Sequence, residues 1–169
     1  MAAASTEEPI RKPRFLVFAT EWFSGKGGLS TFNRELCEGL VRLGCDVTCC
    51  IEAIAQEEFA DAEAKGVTLY CPGECSRLGR EAFLLPLKPE LQSPGPFKFV
   101  VGHGRVTGQY ARAFVQHHSP DSRCVHFIHV APQCIEWHKS DDDAAETAEA
   151  RKQQEADLVA SAVPVQGSS

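Results

Sequence analysis

Residues 14–51 read RFLVFATEWFSGKGGLSTFNRELCEGLVRLGCDVTCCI, and the order of patterns in this stretch decides the fold. Arg14-Phe-Leu-Val-Phe-Ala19 is a short apolar run, the length of a strand buried on both faces. A glycine-rich turn follows at Ser24-Gly-Lys-Gly-Gly28. Leu29, Phe32, Leu36, Leu40 and Leu43 then recur at helical spacing, and Gly44 ends the pattern. Asp46-Val-Thr-Cys-Cys-Ile51 is a second apolar run. Strand, turn, helix and strand together make a βαβ crossover.

Outward from this unit the alternation continues. Gln56 to Lys65 reads as a helix stopped by Gly66, and Val67 to Tyr70 as a strand. Cys71 to Pro96 is rich in proline and reads as a connection holding at most a short helix. Phe97 to Val101 is expected as a strand, Val106 to His117 as a helix, and Arg123 to His129 as another strand. A short helical segment is expected around Gln133 to His138. Asp141-Asp-Asp143 favours the start of an Ala-rich helix to about Ala156, and Leu158 to Val163 reads as a last strand. The expected fold class is α/β: a single doubly wound parallel sheet, Rossmann-like and flanked by helices, over residues 14–163. Residues 1–13 and 164–169 read as flexible ends.

Composition narrows the function classes. A chain of 169 residues, 43% hydrophobic and 24% charged, suits one domain with a sizeable core. Its 17 basic and 23 acidic residues leave a formal charge of −6, which argues against a general nucleic-acid or anionic-membrane surface. Met1 to Arg14 has no apolar leader core, and no stretch reaches the roughly 20 apolar residues of a membrane span, so the expected compartment is the cytoplasm. Cys37, Cys45, Cys49, Cys50 and Cys124 fall in or beside apolar segments, which predicts free thiols rather than a disulfide framework. Cys71 and Cys75 have a zinc-compatible gap but no second Cys/His pair at finger spacing, so a turn at Pro72-Gly73 is the preferred reading. No metal site is expected.

Three segments bear chemistry. Gly25-Lys-Gly-Gly-Leu-Ser-Thr31 lies between strand and helix, where glycines admit a ligand and the helix N-terminus offers N–H groups to an anion. An ordinary tight turn fits the same residues equally well. The spacing is neither a P-loop nor Gly-x-Gly-x-x-Gly. Val100-Val-Gly-His-Gly-Arg-Val-Thr-Gly108 sets His103 just past a strand's C-terminal end, with glycines expected to leave it accessible and Arg105 and Thr107 opening the next helix. Cys124-Val-His-Phe-Ile-His-Val-Ala-Pro132 sends His126 and His129 to opposite faces, His126 as a packed residue and His129 at the same sheet edge as His103. His117, His118 and His138 read as surface residues, and Glu21 and Glu136 as the acids nearest the site. No Gly-x-Ser-x-Gly elbow, HExxH motif or obvious carboxylate pair is present.

Gly-Gly-Leu-Ser-Thr-Phe-Asn-Arg-Glu-Leu36, followed by Leu43-Gly-Cys-Asp-Val47, resembles the opening of the large retaining glycosyltransferase family that includes sucrose synthases and phosphatidylinositol mannosyltransferases. Val101-Gly-His103-Gly, Phe127-Ile-His129-Val-Ala-Pro and Ala156-Asp-Leu-Val-Ala-Ser-Ala162 resemble later segments of that family in the same order. Cys45 stands where a histidine is usual. The resemblance runs from about Arg14 to Val163 and implies the N-terminal Rossmann-like lobe of a two-lobed, GT-B type enzyme. It implies that Gly27, Gly28, Leu29 and Ser30 approach the donor diphosphate. His129 would be the catalytic-site histidine facing the transferred sugar, and His103 and Arg105 would line the acceptor side. The implied substrates are a nucleotide sugar and an acceptor the sequence does not identify, with no cofactor and often no metal.

In that family the C-terminal lobe carries paired glutamates and the basic residues that grip the diphosphate. Residues up to Ser169 do not supply them, so no sugar transfer by the chain alone is expected. Two readings follow: the acceptor-side lobe of a glycosyltransferase, or a non-catalytic binding module of a larger multidomain protein that contacts its other domains.

Overall fold

The computed structural model describes residues 12–24, 28–93, 95–129 and 144–160. In chain order these form β1 (Arg14–Phe18), α1 (Leu29–Arg42), β2 (Asp46–Cys50), α2 (Gln56–Ala64), β3 (Val67–Tyr70), α3 (Cys75–Leu78), a 3-10 turn (Gly79–Leu84), α4 (Pro89–Gln92), β4 (Phe99–His103), α5 (Gly104–His118), β5 (Arg123–Phe127) and α6 (Ala144–Ala160). The strands make one sheet, ordered β3-β2-β1-β4-β5, and every pair is parallel. The expected α/β, Rossmann-like class is observed. After β3 the chain crosses to the far side of β1, so the order reverses between β1 and β4. That reversal opens a crevice at the C-terminal ends of the strands.

Alternation along the strands divides the core into two layers. Leu16, Phe18 and Val100 face Phe83, Ala111 and Phe114 on one side. Val17, Val47, Cys49 and Val101 face Trp22, Cys37 and Ala62 on the other. Both faces of β1 are covered, which is why its residues are apolar without interruption. Helix α1 closes as its sequence indicates: Gly44 N–H donates to Val41 O at 2.8 Å and Cys45 N–H to Leu40 O at 3.0 Å, the paired bonds of a Schellman stop.

Several expectations are corrected. Strand β4 begins at Phe99, because Phe97 turns into the core ahead of the ladder, and it extends through Gly102 and His103. The connection after β3 holds three short helical pieces, not one at most. The inner face of α1 is Ser30, Asn33 and Cys37, while Leu29, Phe32 and Leu43 are exposed. Leu36 and Leu40 are half-buried and pack on the same layer as Cys37, so it is the two ends of the apolar row that face outward. Leu158–Ala160 is helical, not the start of a strand, since the Ala- and Gln-rich sequence of α6 carries the helix through them. Residues 161–163, the Gln133–His138 segment and Asp141 to Asp143 lie outside the described residues.

The turn at Pro72-Gly73 is present, closed by Cys75 N–H donating to Pro72 O at 3.0 Å. Cys71, Cys75 and five further described cysteines are free thiols, and Cys134 lies outside the described residues. Burial pushes Cys75 up to about 12, with Cys71 beside it adding to the shift. Thiol titration of the denatured, unreduced protein is expected to count all 8 cysteines of the sequence. A count of half that or fewer would establish disulfides.

Candidate functional site

At the reversal point two helices begin against the ends of β1 and β4. Gly28 caps α1 at φ 77°, a left-handed conformation that side chains resist, and its carbonyl accepts from Phe32 N–H at 3.0 Å. As a glycine, the N-cap residue has no side chain with which to cap the helix. The amides of its first turn therefore have no intrahelical acceptor and present a positive field to the crevice. Leu29 is exposed there and Ser30 is buried. Gly25, Lys26 and Gly27 lie outside the described residues.

Strand β4 runs into α5 without a loop. Gly104, at φ 49°, makes the turn, and His103 is the N-cap residue. Thr107 fixes it from both sides: His103 N–H donates to Thr107 Oγ1 at 2.8 Å, and that hydroxyl donates to His103 O at 3.2 Å. Gly102 does not give His103 access, as the sequence suggested; it lets α5 touch the strand. A Cβ at Gly102 would lie 2.6 Å from Gly108 Cα.

The His103 ring is 7% exposed, a correction to the accessible loop histidine expected from its flanking glycines. Phe127 stacks on it at 5.7 Å and Phe32 meets it edge-on at 5.9 Å. Its Nε2 lies 3.0 Å from Asn33 Oδ1, and its Nδ1 lies 3.0 Å from His129 Nε2. Burial lowers the pKa of His103 to about 4, with His129 and His126 adding to the shift. Burial also lowers that of His129, as does His126, while Glu155 opposes. Both imidazoles are therefore neutral at pH 7. As neutral rings they hydrogen-bond to each other, and His103 to Asn33 Oδ1, rather than standing as cations.

Across the sheet, His126 Nε2 meets Glu155 Oε2 at 2.7 Å, and its Nδ1 is buried with no hydrogen-bond partner among the described residues. His126 thus occupies the opposite face from His129, as strand alternation requires, but it is hydrogen-bonded rather than merely packed. Among the described residues Glu155 is the acid whose charge bears on His129, raising its pKa against the effect of burial; Glu21 is exposed, and Glu136 lies outside the described residues. Arg105 is exposed on the first turn of α5 and takes no part in the histidine hydrogen bonds.

Sequence reasoning missed two residues. Asn33 was legible only as part of the polar stripe Ser30, Asn33 and Cys37, which the leucine spacing overshadowed. Glu155 reaches the site through tertiary packing of α6, for which no local signal exists.

A cavity of about 810 Å³ lies elsewhere, at the N-terminal edge of the sheet between Arg14, Asp46, Gly66 and Lys98. Its Arg14 is saturated by Asp46 at 2.7 Å, by the Leu91 carbonyl at 2.8 Å and by the Gly95 carbonyl. The cavity therefore offers no open guanidinium from Arg14. Among the described residues no group of three or more His, Cys, Asp or Glu side chains is placed to hold a metal ion. None of the described helices is long and apolar enough to cross a membrane.

The family model described as "Family 4 Glycosyltransferase in conflict systems" matches residues 16–167, which take in every strand and helix above except the first two residues of β1. No curated protein and no solved structure matches the chain significantly.

Proposed function

The chain belongs to the family 4 glycosyltransferases of conflict systems, and from that premise we propose that it forms the acceptor-side, N-terminal lobe of a retaining glycosyltransferase that uses a nucleotide sugar. The observation that carries this reading is the meeting of His103 and His129 at 3.0 Å, with Phe32 of the first turn of α1 edge-on to both rings. In this reading the first-turn amides, with Gly27, Gly28, Leu29 and Ser30, take the donor diphosphate. His129 faces the transferred sugar, and His103 supports it from behind. Arg105, exposed at the crevice rim, meets the acceptor.

Exposed helix-terminus interactions contribute about 0.3–1 kcal/mol per charge. A nucleoside diphosphate on this lobe should therefore bind at about millimolar affinity, near −4 kcal/mol. Titration followed by backbone amide shifts is expected to move Gly28 to Thr31 and His129. Saturable binding that maps elsewhere, with that loop silent, would reduce the glycines to a turn.

A second reading, a non-catalytic binding module within a larger protein, is favoured by one observation: His103 is buried under Phe32, Phe127 and His129 rather than open to an acceptor. Sugar transfer by the parent protein that is lost in His129→Ala with the fold intact supports the enzyme. Nucleotide binding without any turnover supports the module.

A further inference from the structure

The amide of Asn33 lies at the centre of a buried chain of hydrogen bonds. Its Nδ2 donates to Cys49 Sγ at 3.4 Å. Its Oδ1 receives the Cys37 thiol at 4.0 Å, a long sulfur contact, and lies 3.0 Å from His103 Nε2. Asn33 is 1% exposed and cannot exchange these partners for water. An amide oxygen only accepts, so His103 must carry its proton on Nε2. A neutral His103 then has its lone pair on Nδ1, and the partner there, His129 Nε2, must be the donor. His129 is left with its lone pair on Nδ1.

We propose that Asn33 is a positioning residue that sets the tautomers of His103 and, through it, of His129, so that His129 offers the cleft an acceptor nitrogen suited to a hydroxyl donor such as a sugar hydroxyl. The ligand class rests on the transfer-site reading; the tautomer chain rests on geometry alone. Phe32 and Phe127 hold the two rings in place, with Phe32 edge-on to His129 at 4.8 Å and to Phe127 at 5.4 Å. The Cys37 thiol adds no competing charge: its interaction with Cys49 and burial raise it well above the ordinary thiol range. Among the described residues the other titratable groups that act on the pair are His126 and Glu155, which hydrogen-bond each other on the far side of β5.

Long-range proton–nitrogen correlation spectra of the histidine rings at neutral pH measure the tautomers directly and need no turnover. The expected result is Nε2–H for both His103 and His129 in the unsubstituted protein. An Nδ1–H form at His103 means that the Asn33 amide is reversed, and overturns the proposal whether or not nucleotide binds. Asn33→Asp places a carboxylate against His103 Nε2 and is expected to raise the His103 titration midpoint by about 1–3 pH units. His103 then donates from Nδ1 when protonated, and His129 moves its proton to its own Nδ1. Asn33→Leu, which keeps the volume, is expected to mix the His103 tautomers. Unchanged tautomers in Asn33→Leu, or an unchanged His103 midpoint in Asn33→Asp, with native amide spectra, overturn the proposal, and if neither variant folds the unsubstituted spectrum alone decides it. Nucleotide titration fails independently of this result, so the two readings stand or fall separately.

Discussion

Gly102→Val is expected to destabilise the fold by about 3 kcal/mol or more, at the upper end of the range for overpacked cores. A Cβ at residue 102 would lie 2.6 Å from Gly108 Cα, 2.8 Å from Thr107 O and 2.9 Å from Ala111 Cβ. Two of those atoms are backbone, so no side-chain rotation relieves the overlap, and α5 must lift from β4. The same movement would separate Thr107 from His103 and unseat the histidine pair. Gly73→Ala is the control, because a Cβ there meets nothing within 4 Å and the residue has no positive φ. Urea unfolding should give a midpoint near the unsubstituted value for Gly73→Ala. For Gly102→Val the midpoint should be far lower, or the protein insoluble. Equal midpoints would mean that α5 does not pack on β4 as described.

The second large effect is on acid stability. His103 has a pKa of about 4 in the fold, lowered by burial first and then by His129 and His126, against an ordinary value of 6.5. In the window between those values the unfolded chain binds the proton and the folded one does not, so stability rises with pH. The contribution is complete above pH 6.5 and is lost as pH falls toward 4, amounting to about 3 kcal/mol. His103→Gln retains an N–H donor for Asn33 but does not titrate. Unfolding free energies at pH 7 and pH 4 should differ by about 3 kcal/mol less in the variant than in the unsubstituted protein. Parallel pH profiles would show that His103 is not the buried neutral group.

The sheet was legible because its signal is local. Val67–Tyr70 reads as a strand from its own residues, and so do the runs at Leu16, Val47, Val100 and Val125. His103 and His129 were legible as site candidates because strand ends can be counted from apolar runs. What defeated the reading was orientation and partnership. Leucine spacing located α1, and Leu36 and Leu40 do pack on the core, but it gave no sign that Ser30 and Asn33 are buried on the same helix. Leu158 and Val159 look strand-forming, yet they continue α6 in a run of strong helix formers. Glu155 and His126 are far apart in the chain and meet only through packing, which no window of sequence contains.

The place of β1 in the sheet also constrains how the chain folds. One edge of β1 pairs with β2, which α1 delivers directly; the other waits for β4, with Phe15 opposite Phe99. A contact so distant in sequence must offset the entropy of closing a long loop before it stabilises anything, so the β1–β4 pairing is the slow step. During synthesis from the N-terminus, β1, α1, β2, α2 and β3 emerge as a half-sheet whose open edge is the apolar strand at its far side. That edge is the surface a chaperone would shield, and the first place where two unfinished chains would join.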